Sequence, residues 1–326
     1  MKQIFALLVF CLSSLIAIAQ SPYDLDVELG NSYAPLVEQQ MGLYRDPVAN
    51  QYIKELGARL TNGIQGIPFS FEFNIVDTPE PNAFAIAGGH IYVTRGILCI
   101  ANNEQELAGV IGHEIIHVLE RHTVEQMKKS ITPSLLKLPG ILVGRVSPGL
   151  GTIINAPIGL GSKLFMSSYS RGQEKEADRL GINLGARSGY DPQQLAVILN
   201  NLSDEVEALT GEAEKKSYFA DHPFTPKRAE YINKSSDKID WTPKPPIAMD
   251  GESFLKKFDG MYFGHDPAQG VFQGQNFLHP DLGLYIKFPQ EWQTENSPSG
   301  VGAGREDGAG LIYLTIPDTL ASPKAL

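Results

Sequence analysis

His113-Glu114-Ile115-Ile116-His117 is an H-E-x-x-H run, two histidines four residues apart with a glutamate between them. On a helix an H-E-x-x-H run sets two imidazoles one turn apart on one face, with a carboxylate beside them. Imidazoles so placed hold zinc, and the carboxylate can take a proton from a zinc-activated water. The chain has only 7 histidines in 326 residues, so the spacing is a specific signal. The bland alternative is two ordinary helix histidines beside a solvated Glu114.

A catalytic zinc keeps three protein ligands and an open position, so a third ligand is required. A metzincin would place Gly and His where Glu120 and Thr123 stand, which excludes that class. His122 follows His117 by five residues, about 140° round a continuous helix, and is expected to be a surface histidine. A second helix offers carboxylates in Ser170-Arg171-Gly172-Gln173-Glu174-Lys175-Glu176-Ala177-Asp178. Glu174 and Asp178 lie one turn apart, so Glu174 can bind the metal while Asp178 accepts the free N–H of a ligating histidine. Glu176 is the rival, but its i+4 partner is Leu180, which cannot play that second part. Without the first motif, a charged helix with solvated acids would be the better reading.

The pair of motifs, with Asn82-Ala83-Phe84-Ala85 and Glu106-Leu107-Ala108-Gly109-Val110, resembles the gluzincin zinc metallopeptidases of the CAAX-prenyl endopeptidase, HtpX and periplasmic BepA type. The similarity covers roughly residues 25 to 235. It implies an α+β, zincin-like domain, mainly helical with a small mixed sheet, and one Zn2+ held by His113, His117 and Glu174, with Glu114 as general base. It also implies polypeptide substrates, exported and misfolded or misassembled. The alternative is a chaperone-like assembly factor that uses a latent zinc site as a binding platform.

The sequence also marks the helices and strands that carry these residues. Asn103 and Glu106 form an N-terminal capping pattern, and Leu107, Val110, Ile111, Ile115, Val118 and Leu119 recur at helical spacing, predicting one helix as far as Ser130. Ser170 with Gln173 caps the second helix, which stops at Gly189. Asp46-Pro47 breaks an upstream helical stretch running from Asp24 to Leu60. Phe69, Phe71, Phe73 and Ile75 alternate as in a half-buried strand, and Gly88-Gly89 joins two further strands in a hairpin. His90 is expected to be a strand histidine. The stretch Asn82 to Ala87 could hold a substrate as an added strand or simply pair within the sheet.

Asp221-His222-Pro223-Phe224-Thr225-Pro226-Lys227-Arg228 reads most plainly as a turn before a last helix, with His222 exposed and Arg228 in a surface ion pair. The other reading brings both to the cleft. His222 would then cap the open zinc position or donate to an oxyanion, and Arg228 would hold Asp178 or substrate. Residues 131–168 are apolar but broken by four prolines, predicting a packed insertion, or a lid or flap touching a membrane, and no continuous span.

Residues 1–19 read as a signal peptide, with an uncleaved anchor as the alternative, and the expected location is the periplasm or cell envelope. Its removal leaves Cys99 as a lone, buried thiol. The formal charge of −10 argues against nucleic acid or an anionic membrane as partner. The expected organisation is a zinc metallopeptidase domain over 20–240, a Pro-rich linker over 241–250 and a small β-rich accessory domain over 251–326.

Overall fold

A computed structural model describes residues 21–130, 168–210, 222, 226–297, 300–305 and 309–315. The expected signal peptide, nearly all of the 131–168 insertion and the segment around His222, apart from His222 itself, lie outside them. The chain opens with helices α1 (Asp24–Met41) and α2 (Pro47–Thr61). Asp46 caps α2 by accepting from the Ala49 amide, with Pro47 at the first helical position. Strands β1 (Glu72–Val76), β2 (Ala83–Ile86) and β3 (His90–Thr94) follow, then a short helix α3 (Arg95–Ile100).

β3 is the central strand, parallel to β1 and antiparallel to β2, so among the described residues β2 is an edge. The β2–β3 turn is Ala87-Gly88-Gly89, and both glycines have positive φ, at 79° and 94°. The sheet is covered on both faces. Phe84, Ile86 and Tyr92 pack with Ala34 and Val37 of α1. Ala83, Ala85, Ile91 and Val93 turn to the main core.

Helix α4 (Glu104–Leu119) runs through that core. Leu107, Val110, Ile111, Ile115 and Val118 are fully buried, and so are both motif histidines and Glu114. A helix buried on all sides belongs inside the fold, which is why its polar residues must find partners there. Asn103 caps it by accepting from the Gln105 and Glu106 amides, while the Glu106 carboxylate accepts from the Asn102 amide.

The single helix expected as far as Ser130 is two. Glu120 and Arg121 close α4 with bonds to Ile116 and Val118, Arg121 adopts a left-handed φ of 60°, and α5 (His122–Ser130) starts afresh. A left-handed non-glycine residue costs roughly 1–2 kcal/mol. Arg121 is held there by the buried Asp26 of α1, with Nε at 3.2 Å and Nη2 at 2.7 Å from its carboxylate.

Helix α6 (Arg171–Ser188) carries the capping box of Ser170 and Gln173 and ends on Gly189 with φ 94°. It crosses α4 where Gly112 meets Gly181; a Cβ on Gly181 would stand 3.1 Å from the His113 backbone. Small residues at this crossing let the two motif-bearing helices approach closely. Helices α7 (Gln194–Thr210) and α8 (Pro226–Ser236) pack around them.

The Pro-rich stretch after Trp241 lies along this body. Lys244 donates its amide to the Gly189 carbonyl, and Arg59 donates to the Pro245 carbonyl. The amides of Ile247 and Ala248 donate to the buried Glu104 carboxylate, which also accepts from the hydroxyls of Tyr52 and Tyr190. Beyond it, helix α9 (Gly251–Leu255) and the following turn place Phe254 and Phe258 in the main core. Two three-stranded antiparallel sheets then follow, β4 to β6 (Val271–Gln273, Asn276–His279, Leu284–Lys287) and β7 to β9 (Gln293–Ser297, Gly300–Gly304, Leu311–Leu314). They share a small core of Phe277, Phe288, Val301 and Ala303. The fold is therefore α+β, a mainly helical domain followed by a β-rich region. No helix among the described residues is long and apolar enough to cross a membrane.

Candidate metal centre

Helix α4 brings His113 and His117 together because they are one turn apart, and their Nε2 atoms are 2.9 Å from each other. Helix α6 adds Glu174, whose Oε1 is 3.4 Å from His117 Nε2 and whose Oε2 is 3.8 Å from His113 Nε2. His222 adds Nδ1, 3.0 Å from Glu174 Oε1 and 3.2 Å from His113 Nε2. One donor atom from each of these four buried residues lies within 4.8 Å of the others. Three imidazoles and a carboxylate, converging and shielded from water, match the nitrogen and oxygen donor set that zinc takes.

The electrostatics of His113, His117 and Glu174 suit that role. Burial holds His113 and His117 below the ordinary imidazole range, outweighing the carboxylates that would raise them, so both stay neutral and able to ligate. Burial pushes Glu174 upward, but His222 and Arg228 outweigh it and hold the carboxyl well below its usual value. His222 differs: burial opposes its charge, yet Glu114 and Glu174 beside it raise its pKa to about 9, so without a metal it is an imidazolium that must lose a proton before it can ligate.

Asp178 stands behind His113, with Oδ1 3.0 Å from Nδ1, and thereby orients the ring so that Nε2 faces Glu174. Arg228 clamps Asp178 through Nε and Nη2, both at 2.8 Å, and reaches Glu174 Oε2 through Nη1, also at 2.8 Å. The guanidinium and His113 hold the Asp178 carboxyl down against its burial. Glu114 is fully buried, with Oε1 3.4 Å from His222 Nε2.

The structure corrects three expectations. His222 is fully buried and part of the cluster, and Arg228 is a buried clamp, so neither has the surface placement that a plain turn implied. A histidine in the non-periodic, Pro-rich stretch Asp221 to Pro226 has no assigned face, and only the fold shows where it points. His122 is also buried, because the break at Arg121 turns α5 back and sets its Nδ1 3.2 Å from His117 Nδ1. Glu176 is absent from the cluster and pairs instead with His122 and Arg179. Asn82 lies outside the cluster too, at the head of β2, where its carbonyl accepts from the Thr94 amide and hydroxyl. His90 begins β3 and faces Glu72. Cys99 is half-buried, and burial raises its thiol pKa. Tyr169, which no sequence pattern marked, stacks on His117 with ring centroids 3.7 Å apart.

The sequence pattern of peptidase family M48 matches residues 47–236, which include α4, α6 and Arg228. The chain belongs to this family. Among its relatives is the beta-barrel assembly-enhancing protease of Escherichia coli strain K12, 28% identical over 262 residues, covering 79% of this chain and 51% of that protein. The mitochondrial metalloendopeptidase OMA1 of Saccharomyces cerevisiae is 29% identical over 225 residues, covering 68% of this chain and 57% of that protein. The metalloprotease LoiP of Escherichia coli strain K12 is 30% identical over 190 residues, 57% of this chain and 71% of that protein. The chain spans about half the length of the beta-barrel assembly-enhancing proteases it matches. M48 peptidases use zinc, and the buried histidine and glutamate cluster of this chain can take it.

Proposed function

We propose that this chain is a zinc-dependent endopeptidase that cuts exported, misfolded or misassembled envelope polypeptides. The observation that carries the reading is the buried four-donor cluster with Glu114 beside it. In this reading His113, His117 and Glu174 hold the ion, and Asp178 with Arg228 keeps His113 and Glu174 oriented. Zinc, when bound, supplies Lewis acidity, lowering the pKa of a water and polarising a carbonyl. Glu114 takes the proton of the attacking water and passes it to the leaving amine.

Once it has lost its proton, His222 can supply a fourth donor and close the site. Peptide hydrolysis then requires His222 to give up that position, where it can next serve as a donor to the developing oxyanion. The edge strand β2 packs beside α4 and offers backbone groups that bind an extended peptide independently of its sequence. The envelope substrate class draws its support from the names of the beta-barrel assembly-enhancing proteases, and export from the leader-like residues 1–19.

Closure by His222 also favours a second reading, an assembly factor that binds clients and rarely cuts them. Digestion of an unfolded polypeptide, with chelator and zinc re-addition, run beside an aggregation-suppression assay, separates the two. Cleavage that chelator abolishes and zinc restores is expected. Suppression of aggregation without cleavage would favour the assembly factor.

A further inference from the structure

The two motif histidines are supported differently. His113 turns its Nδ1 to Asp178, a direct carboxylate contact of 3.0 Å. His117 has no carboxylate there; its Nδ1 faces His122 Nδ1 at 3.2 Å, and His122 Nε2 faces Glu176 Oε2 at 3.4 Å. His122 is 4% exposed and cannot rely on water for both ring nitrogens.

We propose that His122 is a positioning residue for His117, completing a chain from Glu176 through His122 and His117 to the metal. The inference rests on the zinc reading above. If His117 ligates through Nε2, its proton sits on Nδ1 and must be donated to an acceptor. His122 Nδ1 can accept only as the tautomer protonated on Nε2, and that N–H then donates to Glu176. One assignment of protons satisfies both contacts, and Glu176 selects it. Ligating histidines need such a partner to fix tautomer and ring orientation and to raise ligand basicity. Here a second histidine transmits what a carboxylate does directly at His113.

The fold holds this contact in place. On an uninterrupted helix His122 would point away from His117. The left-handed Arg121, gripped by Asp26, breaks the helix and returns His122 to the cluster. Tyr169 stacks on the face of His117 and limits ring rotation.

The test is the zinc dissociation constant of the purified full chain, measured by competition with a chromophoric chelator, with Glu174→Ala as the control that removes a proposed ligand. His122→Phe keeps a ring but offers no acceptor, and is expected to weaken zinc binding roughly 10–100-fold. His122→Asn, whose carbonyl can accept from His117, is expected to recover most of that loss. Glu176→Leu, at a half-exposed position that tolerates substitution, is expected to weaken binding in the same direction by less, and decides the matter if His122→Phe does not fold. In the zinc-loaded wild type, nitrogen-15 NMR is expected to show His122 protonated on Nε2. A wild type that binds zinc tightly and is matched by His122→Phe and Glu176→Leu overturns the inference alone, as does a proton found on His122 Nδ1. A wild type no tighter than Glu174→Ala overturns the zinc reading and this inference with it.

Discussion

Glu104→Gln replaces the buried carboxylate at the start of α4 by its uncharged isostere. Oε1 accepts from the Tyr190 hydroxyl and the Ile247 amide, both at 2.8 Å. Oε2 accepts from the Tyr52 hydroxyl at 3.0 Å and the Ala248 amide at 2.6 Å. An amide keeps one acceptor oxygen and presents N–H groups in place of the other. A tyrosine hydroxyl can turn round and accept from them, but a peptide N–H cannot. In either orientation one backbone amide, of Ile247 or Ala248, faces a donor, at a cost of about 1–3 kcal/mol. The remaining bonds drop from charge-assisted to neutral, losing about 1 kcal/mol each, partly offset because no charge is then buried. The net loss is about 2–4 kcal/mol, a fall in Tm of about 5–15 °C for a domain of this size. Differential scanning calorimetry reads the midpoint, and hydrogen exchange should show faster opening across residues 241–258. Zinc affinity should be unchanged, because Glu104 is two and a half turns from His113 on α4. A Tm within about 2 °C of wild type would refute the claim that Glu104 pins the Pro-rich segment to α4.

Ending the chain after Asp240 would remove the donors Ile247 and Ala248 together with the core rings of Phe254 and Phe258. At about 3–5 kcal/mol for each ring, the fragment should lose most of its folded population in near-ultraviolet circular dichroism, whereas an autonomous 20–240 domain would unfold cooperatively. Arg228→Met leaves the buried Asp178 and Glu174 without their guanidinium, and urea unfolding of the metal-free protein should show a loss of about 3–5 kcal/mol. An unchanged midpoint would mean that the clamp is dispensable. Gly181→Val pushes α6 away from the His113 backbone, costing about 1–3 kcal/mol, and should weaken zinc because the donors lie on both helices. Loss of stability with unaltered zinc affinity would separate the helix crossing from the metal centre.

The parts of the centre that sit on regular helices were legible in the sequence. His113, His117, Glu174 and Asp178 follow from helical periodicity, because caps and apolar spacing fix both the helix and the face. The break after Leu119 was not legible, since Arg121 is neither glycine nor proline and its conformation depends on Asp26, far away in the chain. That one conformation decides the placement of His122. His222 and Arg228 were hidden for a related reason. They stand in and after a Pro-rich stretch, where no period assigns a face, and Arg228 is buried where α8 packs on α6. The grip of Glu104 on residues 247–248 is likewise a tertiary contact, so the prolines around it read as a linker when taken alone.

If the donor cluster and Glu114 form one hydrolytic centre, Glu114→Gln separates metal binding from hydrolysis. Metal content and cleavage of an unfolded polypeptide are measured on the same zinc-loaded samples of wild type and variant. One zinc per chain is expected in both, with cleavage by the wild type and none by the variant. Cleavage by Glu114→Gln at the wild-type rate, or a wild type that cleaves without metal, would contradict the shared centre.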